Sequence, residues 1–257
     1  MHRNKKETSK TSEIEILYGI NPVMEALIAG RRKIYELFLS EGRQSERLVA
    51  LEKAASDRNI LVSKAPASYI EKLSGTDFHQ NTAARVSAYP FMELEDILGA
   101  SDSLSIPFLL ILDGVEDPMN LGALARTALG AGVDAMIIPK DRAAMPTPSA
   151  SKASAGALEH IPLVRVTNVV NTMAELKKEG FWITGLDEEA AVSLYECDFS
   201  SKLALVIGGE GRGVRELVRR HCDDLAFIPQ KGPVNSLNAS VAGALAMYEV
   251  VRQRYGR

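Results

Sequence analysis

The sequence predicts an α/β protein in two parts: a small N-terminal α/β unit, then a larger α/β domain with a mostly parallel sheet. Three observations carry this. Apolar runs of strand length alternate with helical patterns along nearly the whole chain. The run Phe108–Leu112 is apolar without a break, as in a parallel strand covered on both faces. The 257 residues, 46% hydrophobic with a net charge of −3, suit one large or two modest globular domains at ~100–200 residues each.

Residues 1–13 are polar and read as a disordered tail, with no apolar segment behind the early lysines to make a signal peptide. Asn21 and Pro22 read as the N-cap and first residue of a helix that Gly30 closes. A strand follows at Ile34–Leu39, then a helix carrying Leu48, Val49, Leu51 and Ala55. Ile60–Val62 is a strand, Tyr69 to Leu73 a short helix, and Ala83–Tyr89 a strand. This alternation predicts roughly parallel pairing in a first domain over residues 14–89. Residues 90–106 are acidic and broken by Gly99 and serines, and read as a linker with a helical turn at Leu94–Leu98.

From residue 107 to 257 the alternation is regular. After Phe108–Leu112 it predicts a helix at Leu121–Ala131, a strand at Ala135–Ile138 and a small-residue helix at Thr147–Leu158. A strand at Leu163–Val166, a helix at Val169–Lys178 and strands at Phe181–Leu186 and Leu203–Ile207 come next. Val214–His221 is a helix, Leu225–Ile228 a strand, and Ser236–Arg254 a long terminal helix.

Charge limits the partners. Residues 1–89 hold 14 basic and 11 acidic side chains, and the rest of the chain is net acidic, so any nucleic-acid contact is local and best placed in the first domain. No apolar run reaches the ~18 residues of a membrane helix. Two cysteines, Cys197 and Cys222, make neither a disulfide framework nor a zinc site, and the four histidines lack metal-ligand spacing. The expectation is a cytoplasmic protein without a metal. There is no P-loop and no G-x-S-x-G elbow. The pairs Arg31–Arg32 and Arg219–Arg220 read as solvated helix ends.

Three segments stand where parallel sheets bind ligands, beyond strand carboxyl ends. The first runs from Asp113 through Asn120 to Arg126. Asn120 sits at an N-cap position and Arg126 off the apolar face, so from periodicity alone a capped helix with one solvated arginine is the favoured reading over a site. The second, Gly208-Gly-Glu-Gly-Arg-Gly213, allows close backbone approach but has the wrong spacing for a dinucleotide fingerprint; a tight turn and a site both fit. In the third, residues 231–238, Asn235 or Ser236 could simply cap the last helix.

Taken together and in order, Asn120-Leu-Gly-Ala-Leu-Ala-Arg126, Ile207-Gly-Gly-Glu-Gly-Arg-Gly213 and Asn235-Ser-Leu-Asn-Ala-Ser240 resemble the three motifs of the SpoU branch of the SPOUT RNA methyltransferases. Residues 18–27 resemble the opening of the family's ribosomal-protein-like substrate-binding domain. Ile138-Pro-Lys-Asp-Arg142 and residues 151–157 are similar to the subgroup that methylates a guanosine ribose in bacterial 23S rRNA. The resemblance implies a C-terminal trefoil knot, S-adenosylmethionine as cofactor, and a homodimer through the C-terminal domain that completes an RNA site. By position, Gly208, Ile228 and Leu237 match cofactor-contacting residues. Asn120, Arg126, Glu210, Ser236 and Asn238 match catalytic and RNA-positioning residues, and His79 and Gln80 match an RNA-binding pair. Asn81 departs from the family's usual glycine, and Ala239 from its valine. A tRNA ribose methyltransferase of the same fold is the alternative within the family. A non-catalytic RNA-binding protein is the alternative outside it, with a nucleotide-dependent oxidoreductase third.

Overall fold

The computed structural model describes residues 14–42, 45–100, 106–211, 213–233 and 236–256; the expected tail and residues 101–105 of the expected linker lie outside these. The chain divides into two compact units, one ending at Tyr89 and one starting at Pro90.

The first unit runs β1 (Ile14–Tyr18), α1 (Ile20–Ala29), β2 (Ile34–Ser40), α2 (Glu46–Ser56), β3 (Leu61–Ala65), α3 (Ala67–Ser74), β4 (Thr82–Ser87). Its sheet has the order β1-β4-β2-β3. The expected parallel pairing holds only for β2 with β3, which α2 connects as a crossover. β4 is antiparallel to both β1 and β2, and in the turn that leads into it Gln80 (φ 53°) and Asn81 (φ 61°) are left-handed. Asn81 thus adopts the backbone conformation that glycine favours, which asparagine tolerates better than most residues. Leu17, Val23, Leu37, Leu39, Leu51 and Val86 form the core.

Gly19, not Asn21, is the N-cap of α1, and the Ile20 amide donates to Gln80 Oε1 at 3.1 Å. Asn21 instead accepts from Arg47. Arg32 is no solvated helix end: it is buried, pairs with Glu15 at 2.7 Å and lies over the Tyr89 ring.

The second unit begins with α4 (Leu94–Ala100), β5 (Phe108–Asp113), α5 (Pro118–Gly130), β6 (Ala135–Pro139), α6 (Pro148–Ala153), β7 (Leu163–Val166) and α7 (Val169–Lys178). It continues with β8 (Trp182–Leu186), β9 (Val192–Ser193), β10 (Leu203–Gly208), α8 (Glu216–Arg219), β11 (Asp224–Phe227) and α9 (Ala239–Tyr255). The seven-stranded sheet has the order β7-β6-β5-β10-β8-β11-β9, and every described pairing is parallel. All six residues of β5 are buried. Leu109 and Ile111 face a cluster with Leu94 and Ile97 of α4 and with Met173 and Leu176 of α7. α5 and α9 pack together on the other face, where Gly243 sits against Leu124 and Ile207. Part of the acidic stretch therefore belongs to this core.

The helix expected at Thr147–Leu158 is split. Ala155 (φ 53°) and Gly156 (φ 92°) end it, and a 3-10 turn at Ala157–Glu159 follows. A run of Ser and Ala has little apolar stripe to hold a continuous helix. Only Glu216–Arg219 of the Val214–His221 helix forms, and the terminal helix starts at Ala239 rather than Ser236.

Candidate active site

The sheet changes direction between β5 and β10: the chain proceeds from β5 toward β6 and β7 on one side, while β10, β8 and β11 occupy the other. The carboxyl ends at such a switch point are where α/β sheets hold ligands. Asp113 ends β5 there, fully buried. Its carboxylate accepts from Arg215 N at 2.8 Å and Arg215 Nε at 2.7 Å, and its carbonyl accepts from Gly209 N at 3.0 Å. The loop after β10 is thereby fastened over the end of β5. That approach requires glycine twice. A Cβ on Gly208 would overlap the backbone of Gly213 and Val214, and one on Gly209 would overlap the Gly114 carbonyl. The segment is a tight turn and also the wall of two clefts.

Asp117, not Asn120, caps α5: its Oδ1 accepts from Met119 N at 2.9 Å. Asn120, one turn in and buried, is free for another task. Its Nδ2 donates to Glu210 Oε1 at 2.8 Å. Asn238 Nδ2 donates to the same Glu210 oxygen at 2.7 Å and to Asn120 Oδ1 at 3.0 Å. Asn238 Oδ1 accepts from Ser240 and Val241 amides and so caps α9. Capping and site-building, alternatives at the sequence level, are both performed by Asn238. Three motifs far apart in the chain meet at one carboxylate.

Glu210 lines both clefts. The larger, about 1120 Å³, is also lined by Gly208, Ile228, Ser236 and Leu237. The smaller, about 720 Å³, is lined by Asn120, Glu116, Arg142 and Arg215 among others. Arg126 is not brought to this cluster: it is exposed on α5, lines neither cleft, and makes no hydrogen bond or ion pair with the described residues. Ser236 lines the larger cleft without a hydrogen bond to the described residues.

His79 and Gln80 lie in the first unit. His79 is buried and its Nδ1 accepts from Asn81 N at 3.0 Å, while Gln80 caps α1, so both shape the turn before β4. Sequence reasoning assigned no role to Asp113 and Arg215. A charged residue ending an uninterrupted apolar strand was the available signal for Asp113. Among the described residues no group of histidine, cysteine and acidic side chains is placed to hold a metal, and no helix is long and apolar enough to cross a membrane.

The switch point of the parallel sheet thus carries two clefts that share one carboxylate, held by two side-chain amides. The chain belongs to the SpoU rRNA Methylase family, whose model matches residues 107–248. Residues 16–92 match the family described as RNA 2'-O ribose methyltransferase substrate binding.

Over 240 residues the chain is 43% identical to 23S rRNA (guanosine-2'-O-)-methyltransferase RlmB of Escherichia coli K12, covering 93% of this chain and 99% of that protein. It is 40% identical to RlmB of Yersinia pestis, covering 93% and 98%. In fold it is similar to the SpoU methyltransferase AviRb of Streptomyces viridochromogenes in complex with AdoMet (TM-score 0.79, 22% identity, 97% and 94% covered). An AdoMet-bound rRNA methyltransferase of Sinorhizobium meliloti is also similar (TM-score 0.77, 24% identity, 93% and 87% covered).

Proposed function

We propose that the protein transfers a methyl group from S-adenosylmethionine to the ribose 2'-hydroxyl of a guanosine in 23S rRNA. The observation that carries this reading is the Asn120–Glu210–Asn238 cluster standing in the wall between two clefts. The names of the relatives supply the substrate.

The larger cleft suits the cofactor. Its volume exceeds what a ligand of that size needs. The backbone at Gly208 passes where no side chain fits, and Ile228 and Leu237 offer apolar contact for an adenine. Gly208, Ile228 and Leu237 would hold it, largely by main-chain groups. When bound, S-adenosylmethionine supplies a methyl group already activated on a sulfonium.

What remains for the protein is alignment and removal of a proton. Glu210 Oε1 is fixed by two amide donors, so the carboxylate presents a preset acceptor that orients the ribose hydroxyl. Arg126, always cationic, is suited to hold a neighbouring phosphate or the developing alkoxide. It reaches an acceptor by pairing of two copies. Val241, Leu245 and Tyr248 of α9 and Leu129 of α5 are exposed apolar side chains, and Leu129 lies one turn from Arg126. A homodimer through this face would place Arg126 of one copy at the site of the other. The knot is part of the same reading, supported by the loop fastened over β5 and the return of α9 onto α5 and β10.

The test is tritium transfer from labelled S-adenosylmethionine to 23S rRNA and to tRNA, followed by mapping of the methylated ribose. Label in a guanosine ribose of 23S rRNA is the expected result; label confined to tRNA, or none, would refute the reading.

A further inference from the structure

The charged side chains of the smaller cleft divide sharply by what they already do. Asp113 is committed to Arg215, Asp117 caps α5, and Glu210 receives two amides. The Glu116 and Arg142 side chains, both exposed, make no hydrogen bond or ion pair with the described residues, although they carry opposite charge and line the same cleft. Two features fix the backbone that carries them. The loops that carry them are tied by a backbone bond from Ala144 N to Val115 O at 2.8 Å, one residue from Glu116 and two from Arg142. Val115 and Ala144 are themselves buried, so this tie is anchored. Arg142 is also left-handed (φ 55°), a conformation that costs an arginine energy and persists where surroundings impose it.

A cleft offering a planar bidentate donor and a carboxylate acceptor matches few ligands. A phosphate would satisfy the arginine but would meet Glu116 and Asp117. Guanine satisfies both: O6 and N7 accept from a guanidinium, while N1–H and the 2-amino group donate to a carboxylate. Adenine inverts the pattern, setting an amino group against the arginine. We propose that this cleft receives the guanine of the acceptor nucleotide, with Arg142 reading O6 and N7 and Glu116 reading the N1–H and amino edge. Glu210, in the shared wall, then separates base from cofactor. This inference rests on the guanosine methyl-transfer reading above and assigns its base selectivity.

The experiment is single-turnover methylation of one rRNA fragment carrying guanosine, 7-deazaguanosine, inosine or adenosine at the acceptor position, at saturating S-adenosylmethionine. The wild type is expected to lose about 10- to 100-fold on each substituted fragment, the range for one good base contact. Arg142→Ala should lose a similar factor on guanosine and no longer distinguish 7-deazaguanosine. Glu116→Ala should no longer distinguish inosine. Calorimetric binding of S-adenosylmethionine, expected unchanged in both variants, confirms that each is folded. A wild type that methylates adenosine as fast as guanosine would overturn the inference, as would variants that slow all four acceptors equally. Loss of selectivity in only one variant would overturn the role given to the other residue. No transfer to any fragment by the wild type would refute the underlying reading instead.

Discussion

Arg126 and Glu210 are both polar residues of recognisable motifs, yet only Glu210 sits in the cluster. Arg126→Ala therefore discriminates sharply. A residue that merely decorates a helix face changes stability and rate by no more than ~0.5 kcal/mol. One that holds the reacting hydroxyl or its phosphate lowers methyl transfer by at least ~100-fold while leaving S-adenosylmethionine affinity intact. We expect the second result in single-turnover assays, with little rescue by Arg126→Lys if the planar fork is needed.

Cys222 gives a prediction of another kind. Burial pushes its thiol up to about 12 from an ordinary 9.0. Below the ordinary value the thiol is neutral in both folded and unfolded chains. Above it only the unfolded chain ionises, so stability falls as pH rises between the two values. Cys222→Ala should flatten that fall in melting temperature. The sequence named Asn120, Glu210 and Asn238 because their motifs are local strings. It could not show that Asp117 takes the capping role and releases Asn120, since either residue caps equally well on paper.

At the scale of elements, a half-buried ion pair between Asp113 and Arg215 joins two main-chain hydrogen bonds in fastening the β10–α8 loop to β5. Its two sides are unequal: Asp113 is fully buried, while the Arg215 side chain is 44% exposed. Arg215→Ala leaves the buried Asp113 carboxylate with only the residue-215 amide as donor and should cost about 1–3 kcal/mol, whereas Asp113→Ala leaves an arginine that can reach water and should cost less. Urea denaturation of both variants checks the order. The regular strands and helices from β5 onward were legible because continuous apolar runs and the 3.6-residue period are strong signals. The antiparallel placement of β4 was not, because its partners β1 and β2 are distant in the chain and a strand's own pattern does not state its direction. β9, two residues long, carries no period to read.

For the whole molecule, the exposed side chains of α9 make association measurable. We expect a dimer at micromolar concentration by light scattering, and a monomer with strongly reduced methyl transfer for the double variant Val241→Glu, Tyr248→Glu. A fully active monomer would remove the pairing from the mechanism. The wall between the clefts has a consequence of its own. Because Glu210 and the Gly209 backbone border both spaces, we expect occupancy of one cleft to bias the other through their shared partition. Thermodynamic linkage then requires reciprocity: whatever factor cofactor adds to RNA affinity, RNA adds to cofactor affinity. Titrating each ligand with the other absent and saturating should give two matching factors, of about 5-fold or more if the partition transmits the typical coupling. An RNA that binds well but is not a substrate would then raise retention of S-adenosylmethionine, making the enzyme a sensor of its own target before any methyl group moves.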